Sequence, residues 1–298
     1  MFYKTKGLMK KSLKASIVAA AAAIAGMVGC TSTPEMPDTA IVLEGQAGRV
    51  TVDVQGGRIL SWKTPEDEEL LFMPERMVSP DGDWSHGGIS ICWPWFGKKG
   101  DAAGSIHGFA RNKRFTVKLE RHVPAKKCAS VTLAYAQTAG AEPDFPYAAG
   151  LELEVSVGKE LELTLRTTNK GEESFELTNG FQPYFAVSSY KNVTLRGVKK
   201  DDFAAVDGMD AAFPRLADRF ALADAGCGRE IEAYASGNSG LVVWSPGDVE
   251  PHNRNLDSGD TERFIGLGPS NRAKEGPVTL APGSTHELKF VMKVVADR

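Results

Sequence analysis

His107 lies in the stretch "GGISICWPWFGKKGDAAGSIHGFARNKRF", which runs from Gly87 to Phe115. Glycines stand close on both sides of it, which points to a close approach of backbone rather than to strand packing. Arg111 follows four residues later, and Trp93, Trp95 and Phe109 flank the pair. One titratable ring, one guanidinium and several aromatic faces make a surface on which a sugar binds well. The C–H faces of a sugar stack on aromatic rings, and its hydroxyls take charged hydrogen bonds. The competing reading is a structural histidine at a turn with the tryptophans filling a core, and at least one of Trp93 and Trp95 is expected to do that.

The segments around this stretch read as strands. "AIVLEG", "GRVTVDVQGG" and "RILSWKT" are apolar-rich or alternating, with glycine breaks. "RFTVKLERH", "ASVTLAYAQ", "LELEVSVGK" and "ELELTLRTTN" alternate almost strictly, with Val, Leu and Thr on one face and charged residues on the other. "VGKE" joins two of them as a tight hairpin turn. "GLVVWSPG" and "HELKFVMKVVA" follow near the end, and "DAAFPRLADRFAL" has room for one short helical turn at most. More than a dozen short strands patterned on one side predict an all-β chain folded as a large antiparallel β-sandwich. No linker or repeat divides residues 39–298, which read as one domain.

The chain has 298 residues and a net charge of −3 with scattered charges, so it has no concentrated basic face for nucleic acid. Its start reads differently from the rest. "KTKGLMKKSLK" is a basic leader, and Met9 is an alternative start within it. The apolar run "ASIVAAAAAIAGMVG" is too short to span a bilayer comfortably. It ends at "GMVGC" before the polar "TSTPEMPD", the pattern of a bacterial lipoprotein signal. Residues 1–29 are then a signal peptide, Cys30 the lipidated N-terminus and residues 30–38 a tether. The protein is expected to be exported and anchored to the membrane by lipid, on the periplasmic or cell-surface side. Plain secretion with cleavage near Ala25 is the alternative. Cys92, Cys128 and Cys227 remain, an odd number at wide spacings that suits neither a disulfide framework nor a metal site. Cys92 sits in an apolar run and reads as a small buried hydrophobe.

"RILSWKTPEDEELLFM", "GGISICWPWFG", "HGFARN" and "VVWSPG" occur in this order. Together they resemble the hexose-6-phosphate mutarotase branch (glucose-6-phosphate 1-epimerase-like) of the aldose 1-epimerase superfamily, from about residue 40 onward. The resemblance implies a galactose mutarotase-like β-sandwich that interconverts sugar anomers. A base takes the proton of the C1 hydroxyl while an acid protonates the ring oxygen. In the family the base is a late Glu, and two histidines attend the ring oxygen and nearby hydroxyls. Carried over by position, His107 and Arg111 match the first histidine and its Arg. In "NGFQPYFAV", Gln182 stands where the second histidine belongs, with Tyr184 and Phe185 kept. In "FIGLGPSN", Gly268 stands where the Glu belongs, and His86 replaces an Arg that helps hold the sugar phosphate. Trp95, Phe109, Tyr184 and Asp257 complete the substrate-binding set that the resemblance implies. Asp257 and Asp260 in "NLDSGD" resemble the family's acidic turn near the pocket, and Glu262 is a further acidic residue whose place the spacing does not fix.

Gln cannot titrate near neutrality and Gly has no side chain. The open readings are therefore a mutarotase acting on a hexose or hexose phosphate, a non-catalytic sugar- or glycan-binding lipoprotein, and a surface protein that uses the sandwich for protein contacts. None calls for a metal or cofactor, and a monomer is expected.

Overall fold

The computed structural model describes residues 37–75, 86–99, 106–205, 208–246, 256–257, 259–274 and 276–296. The leader, Cys30 and most of the tether lie outside them. The alternating segments form strands as their pattern predicts. In Ala149–Val157 the residues Ala149, Leu151, Leu153, Val155 and Val157 are buried, and the residues between them are half-exposed. Leu161–Asn169 pairs back along this strand from Val157 opposite Leu161, so the "VGKE" turn closes a hairpin. Period-two patterning allows this because successive side chains point to opposite faces.

Two nine-stranded sheets carry most of the chain. The first runs in the order Ala40–Gly45, Gly48–Asp53, Arg58–Lys63, Ile89–Cys92, Gly180–Pro183, Phe264–Ser270, Gly240–Trp244 and Asp210–Pro214, with Phe185–Ala186 pairing onto Phe264–Ser270. The second runs Phe203–Ala204, Val193–Arg196, Arg219–Asp224, Arg229–Ser236, Thr285–Ala296, Leu161–Asn169, Ala149–Val157, Cys128–Gln137 and Thr116–Val123. All pairings between these strands are antiparallel. One continuous apolar core joins the sheets, with Val52, Trp62, Ile91 and Phe181 from the first and Leu133, Leu153, Leu163 and Phe290 from the second. Phe181 stacks on Phe290 across the interior at 6.1 Å. This is a β-sandwich, held mainly by burial of these inner faces.

The described residues hold four short 3-10 turns and no α-helix. The "DAAFPRLADRFAL" segment, given room for one short helical turn at most, forms no helix. It forms the strands Asp210–Pro214 and Arg219–Asp224, which pair with Gly240–Trp244 and Arg229–Ser236. Ladder pairing along the sheets satisfies their backbone groups, which a single helical turn would leave largely unmet. Cys92 is fully buried, and Cys92, Cys128 and Cys227 are all free thiols.

The central strands of the first sheet carry the residues of interest. Gln182 lies opposite Ser90 and Gly180 opposite Cys92. On the next strand Ser270 lies opposite Gly180, and Gly268 lies opposite Val242. Leu163 has no exposed surface and faces Val155 and Phe290 across the strands. Leu163→Ala should cost about 2–5 kcal/mol, the usual range for a fully buried leucine. Urea unfolding of the variant against the wild type measures it.

Candidate functional site

The turn that carries His107 is strapped to Trp93. Trp93 O accepts hydrogen bonds from Phe109 N at 2.9 Å and Ala110 N at 3.2 Å, and Trp93 N donates to His107 O at 3.3 Å. Gly108 has φ +72°, and a Cβ there would lie 2.0 Å from Trp93 O, so only glycine fits. This is the close approach that the glycine beside the histidine implied. His107 itself is left-handed, with φ +65°. It binds Gly97 twice: His107 N donates to Gly97 O at 2.8 Å, and Gly97 N donates to His107 Nδ1 at 3.0 Å. Its ring stands edge-on to Phe96 at 4.8 Å. Because Nδ1 accepts, the ring proton of the neutral imidazole belongs on Nε2.

Burial pushes the His107 pKa down to about 4, and Arg111, Arg272 and His86 push the same way. The ring is therefore neutral at pH 7. It offers an Nε2–H donor, not an imidazolium acid. No carboxylate of the described residues is among the groups that shift it. The same holds on the neighbouring strands. Arg58 is buried and donates through Nε and Nη2 to Ser90 Oγ at 2.9 and 2.6 Å. Cys92 is pushed up to about 12 by burial, with Arg111 and Arg58 pulling the other way. Tyr184 is also raised by burial against Arg58 and Arg111. Among the described residues the arginines are the charged groups that act on this thiol and phenol, both of which stay neutral.

Gln182 and Gly268 line one small cavity of about 10 Å³, together with Phe96 and Trp244. The Gln182 Oε1 faces Cys92 Sγ at 3.9 Å, a weak contact. A Cβ on Gly268 would meet Phe181 O at 2.2 Å and Pro183 Cδ at 2.6 Å. The neighbouring strand thus occupies the space in which a side chain at 268 would begin.

The other candidates separate. His86 is buried, stacked on Trp244 at 5.4 Å and edge-on to Tyr184 at 5.7 Å. It is close enough to His107 to affect its charge. Trp93 and Phe109 are core residues that pack on each other and on Phe145. Tyr184 is 1% exposed, so it and Phe109 support the site from beneath. Trp95 is buried against Phe109 and shows one edge in a neighbouring groove. Asp257 is exposed, and its N–H donates to Asp260 Oδ2 at 2.9 Å. Asp260 pairs with Arg263, and Glu262 pairs with Lys191 at 2.8 Å. The acidic turn is thus folded on itself and on surface cations. Arg58, Phe96 and Arg272 belong to the site and were missed. The available signal for Arg58 was a cation directly after "GG" and before the apolar pair Ile59 and Leu60. For Arg272, which lies 6.0 Å over the Phe96 ring, the signal was a cation two residues past the matched strand end.

The depressed His107 pKa has a consequence for stability. Between pH 6.5 and about 4 the unfolded chain binds a proton that the folded chain refuses, so stability falls with pH across that window and is intact above it. The loss is at most about 3 kcal/mol. His286 is depressed by burial and adds in the same direction. Thermal unfolding should show a smaller drop from pH 7.5 to pH 4.5 in His107→Asn than in the wild type. Asn tolerates the left-handed backbone and does not titrate.

The aldose 1-epimerase family profile matches residues 39–207. An Escherichia coli (strain K12) protein named "Putative glucose-6-phosphate 1-epimerase" is 30% identical over 224 residues, which is 70% of this chain and 74% of that protein. A relative of the same name from Cenchrus ciliaris is 27% identical over 269 residues, covering 80% and 79%. The crystal structure of a "putative mutarotase" from Salmonella typhimurium superposes with a TM-score of 0.75 at 22% identity, over 84% of this chain and 88% of that one. A galactose mutarotase-like protein from Lactobacillus casei gives 0.69 at 18% identity, over 86% and 100%. These two likenesses concern the fold. The profile spans more than half of the sequence, and on that ground, with the sandwich already described, this chain belongs to the aldose 1-epimerase family.

Proposed function

We propose that this protein binds a hexose or hexose phosphate at the His107 site without accelerating the exchange of its anomers. The observation that carries this reading is Gly268, where strand packing leaves no room for a side chain. Opening a sugar ring requires a base at the C1 hydroxyl and a proton donor at the ring oxygen. His107 supplies a neutral Nε2–H donor, suited to a ring oxygen or hydroxyl. Gln182 offers an amide that both donates and accepts. Arg111 and Arg272 add positive charge, which suits sugar hydroxyls and any anionic substituent. None of these groups is a base near neutral pH. Asp260 and Glu262 are engaged with Arg263 and Lys191.

One positioned proton-transfer group contributes about 10²–10⁴-fold. With two such positions altered, anomer exchange of glucose and glucose 6-phosphate should stay near the spontaneous rate when followed by NMR. The same spectra should show sugar binding that weakens by about 1–3 kcal/mol in His107→Ala, the cost of a lost buried hydrogen-bond partner. Gly268→Glu should not restore exchange, because its side chain meets Phe181 and Pro183. Fast exchange by the wild type, abolished in His107→Ala, would mean that another group acts as base and would sink this reading.

We further propose that the protein works outside the cytoplasm, held by lipid on Cys30. Support comes from the basic leader, the apolar run and the small residues before that cysteine. Cys30→Ser should move the protein from the membrane fraction to the soluble fraction. Retention of the variant on membranes, or a wild type already soluble, would exclude the anchor.

A further inference from the structure

A second concavity lies beyond Phe96. It encloses about 550 Å³, within the roughly 300–1,000 Å³ of small-ligand sites. Phe96 lines both it and the cavity at Gln182, so the two are neighbours across one side chain. Its inner wall is aromatic. Phe145 and Phe175 are buried, and Tyr147 stands half-buried in front of them with ring centroids 5.3 and 5.2 Å away. Contacts on two sides fix the Tyr147 ring before any ligand arrives. Lys98 and Lys99 are exposed on the rim, and Glu176 is the one carboxylate among the described lining residues. The Lys99 ammonium lies 4.9 Å from the centroid of Trp95 and also donates to Asp144 O. A cation is therefore already held over the aromatic wall. The His107–Gly97 pair of hydrogen bonds holds the backbone that presents Phe96 and leads into the two lysines.

We propose that this groove binds an acidic saccharide, with its C–H face on Tyr147 and Phe96 and its anionic group on Lys98 and Lys99. A purely apolar ligand would leave the lysine rim unused. A neutral sugar would gain nothing from two adjacent ammonium groups. Carboxylate and sulfate present the same chemistry to the lysines. The groove shares the Phe96 wall with the neighbouring cavity, but its cations are Lys98 and Lys99, so the inference does not require the sugar-binding reading of the His107 site to hold.

Isothermal titration with a galacturonic acid tetrasaccharide, a heparin tetrasaccharide and neutral maltotetraose tests it on the full-length protein. At least one acidic probe should bind tenfold or more tightly than maltotetraose, and its affinity should fall as salt rises. The two acidic arms tell carboxylate from sulfate. The double change Lys98→Ala with Lys99→Ala should weaken that binding at least tenfold with the melting temperature unchanged, since both side chains are exposed. Tyr147→Ala should weaken it as well, and Gln182→Ala, which alters only the neighbouring cavity, should leave it within about twofold. Three results would overturn the proposal: no binding of either acidic probe, equal binding of maltotetraose, or binding indifferent to the lysine pair. A loss in Gln182→Ala as large as that in the lysine variant would also overturn it, by moving the ligand to the other site.

Discussion

The carbonyl of Trp93 is the point on which this site depends. Phe109 and Ala110 both donate to it, and Gly108 presses against it at a distance that admits no side chain. The turn can close there only because two successive residues, His107 and Gly108, adopt left-handed backbone. For a histidine this conformation is uncommon and carries a cost that the surrounding contacts must offset. The reciprocal bonds between His107 and Gly97 supply part of that offset. They also fix the tautomer, place Nε2–H as the free donor and hold Phe96 in position. One strap on one carbonyl thus sets the geometry of a ring, a loop and the wall between two cavities.

The electrostatics follow from what surrounds that strap. Arg58, Arg111 and Arg272 stand near Cys92, Tyr184 and His107, all of which stay neutral at pH 7. Burial is the largest influence on each of the three neutral groups. The nearby arginines reinforce it at the imidazole and oppose it at the thiol and phenol. An environment of this kind holds an oxygen-rich or anionic ligand through donated hydrogen bonds. Among the described residues, the groups that act on the imidazole are cations and another ring, with no carboxylate between them. The chain keeps the aldose 1-epimerase scaffold, and within it Gln182 presents an amide while Gly268 is packed against Phe181 and Pro183 of the neighbouring strand.

The aromatic residues divide by depth. Trp93, Phe109 and Tyr184 are buried and build the floor. Phe96 and Tyr147 stand half-buried at the walls, where a ligand can reach them. His86 is a buried ring stacked on Trp244. With Tyr184 edge-on to it, the ring extends the aromatic lining there.

Periodicity in the sequence determined the sandwich. Alternation in segments such as "LELEVSVGK" leaves one face that water disfavours, and two such sheets can only be satisfied face to face. The His107–Gly108 pair was legible too, because glycine beside a histidine signals backbone approach whatever the fold. The positions of Gln182 and Gly268 were readable through the family motifs, but their physical meaning was not. That Gly268 is filled by Phe181 O depends on the spacing of strands brought together from distant parts of the chain. Likewise, no local pattern could show that Asp260 and Glu262 turn to Arg263 and Lys191, or that Arg58 and Arg272 gather around residues far away in sequence. Nor could it separate buried Phe109 from half-exposed Phe96. Depth, charge neighbourhood and the second groove arise where sheets and loops meet, and only the tertiary structure decides them.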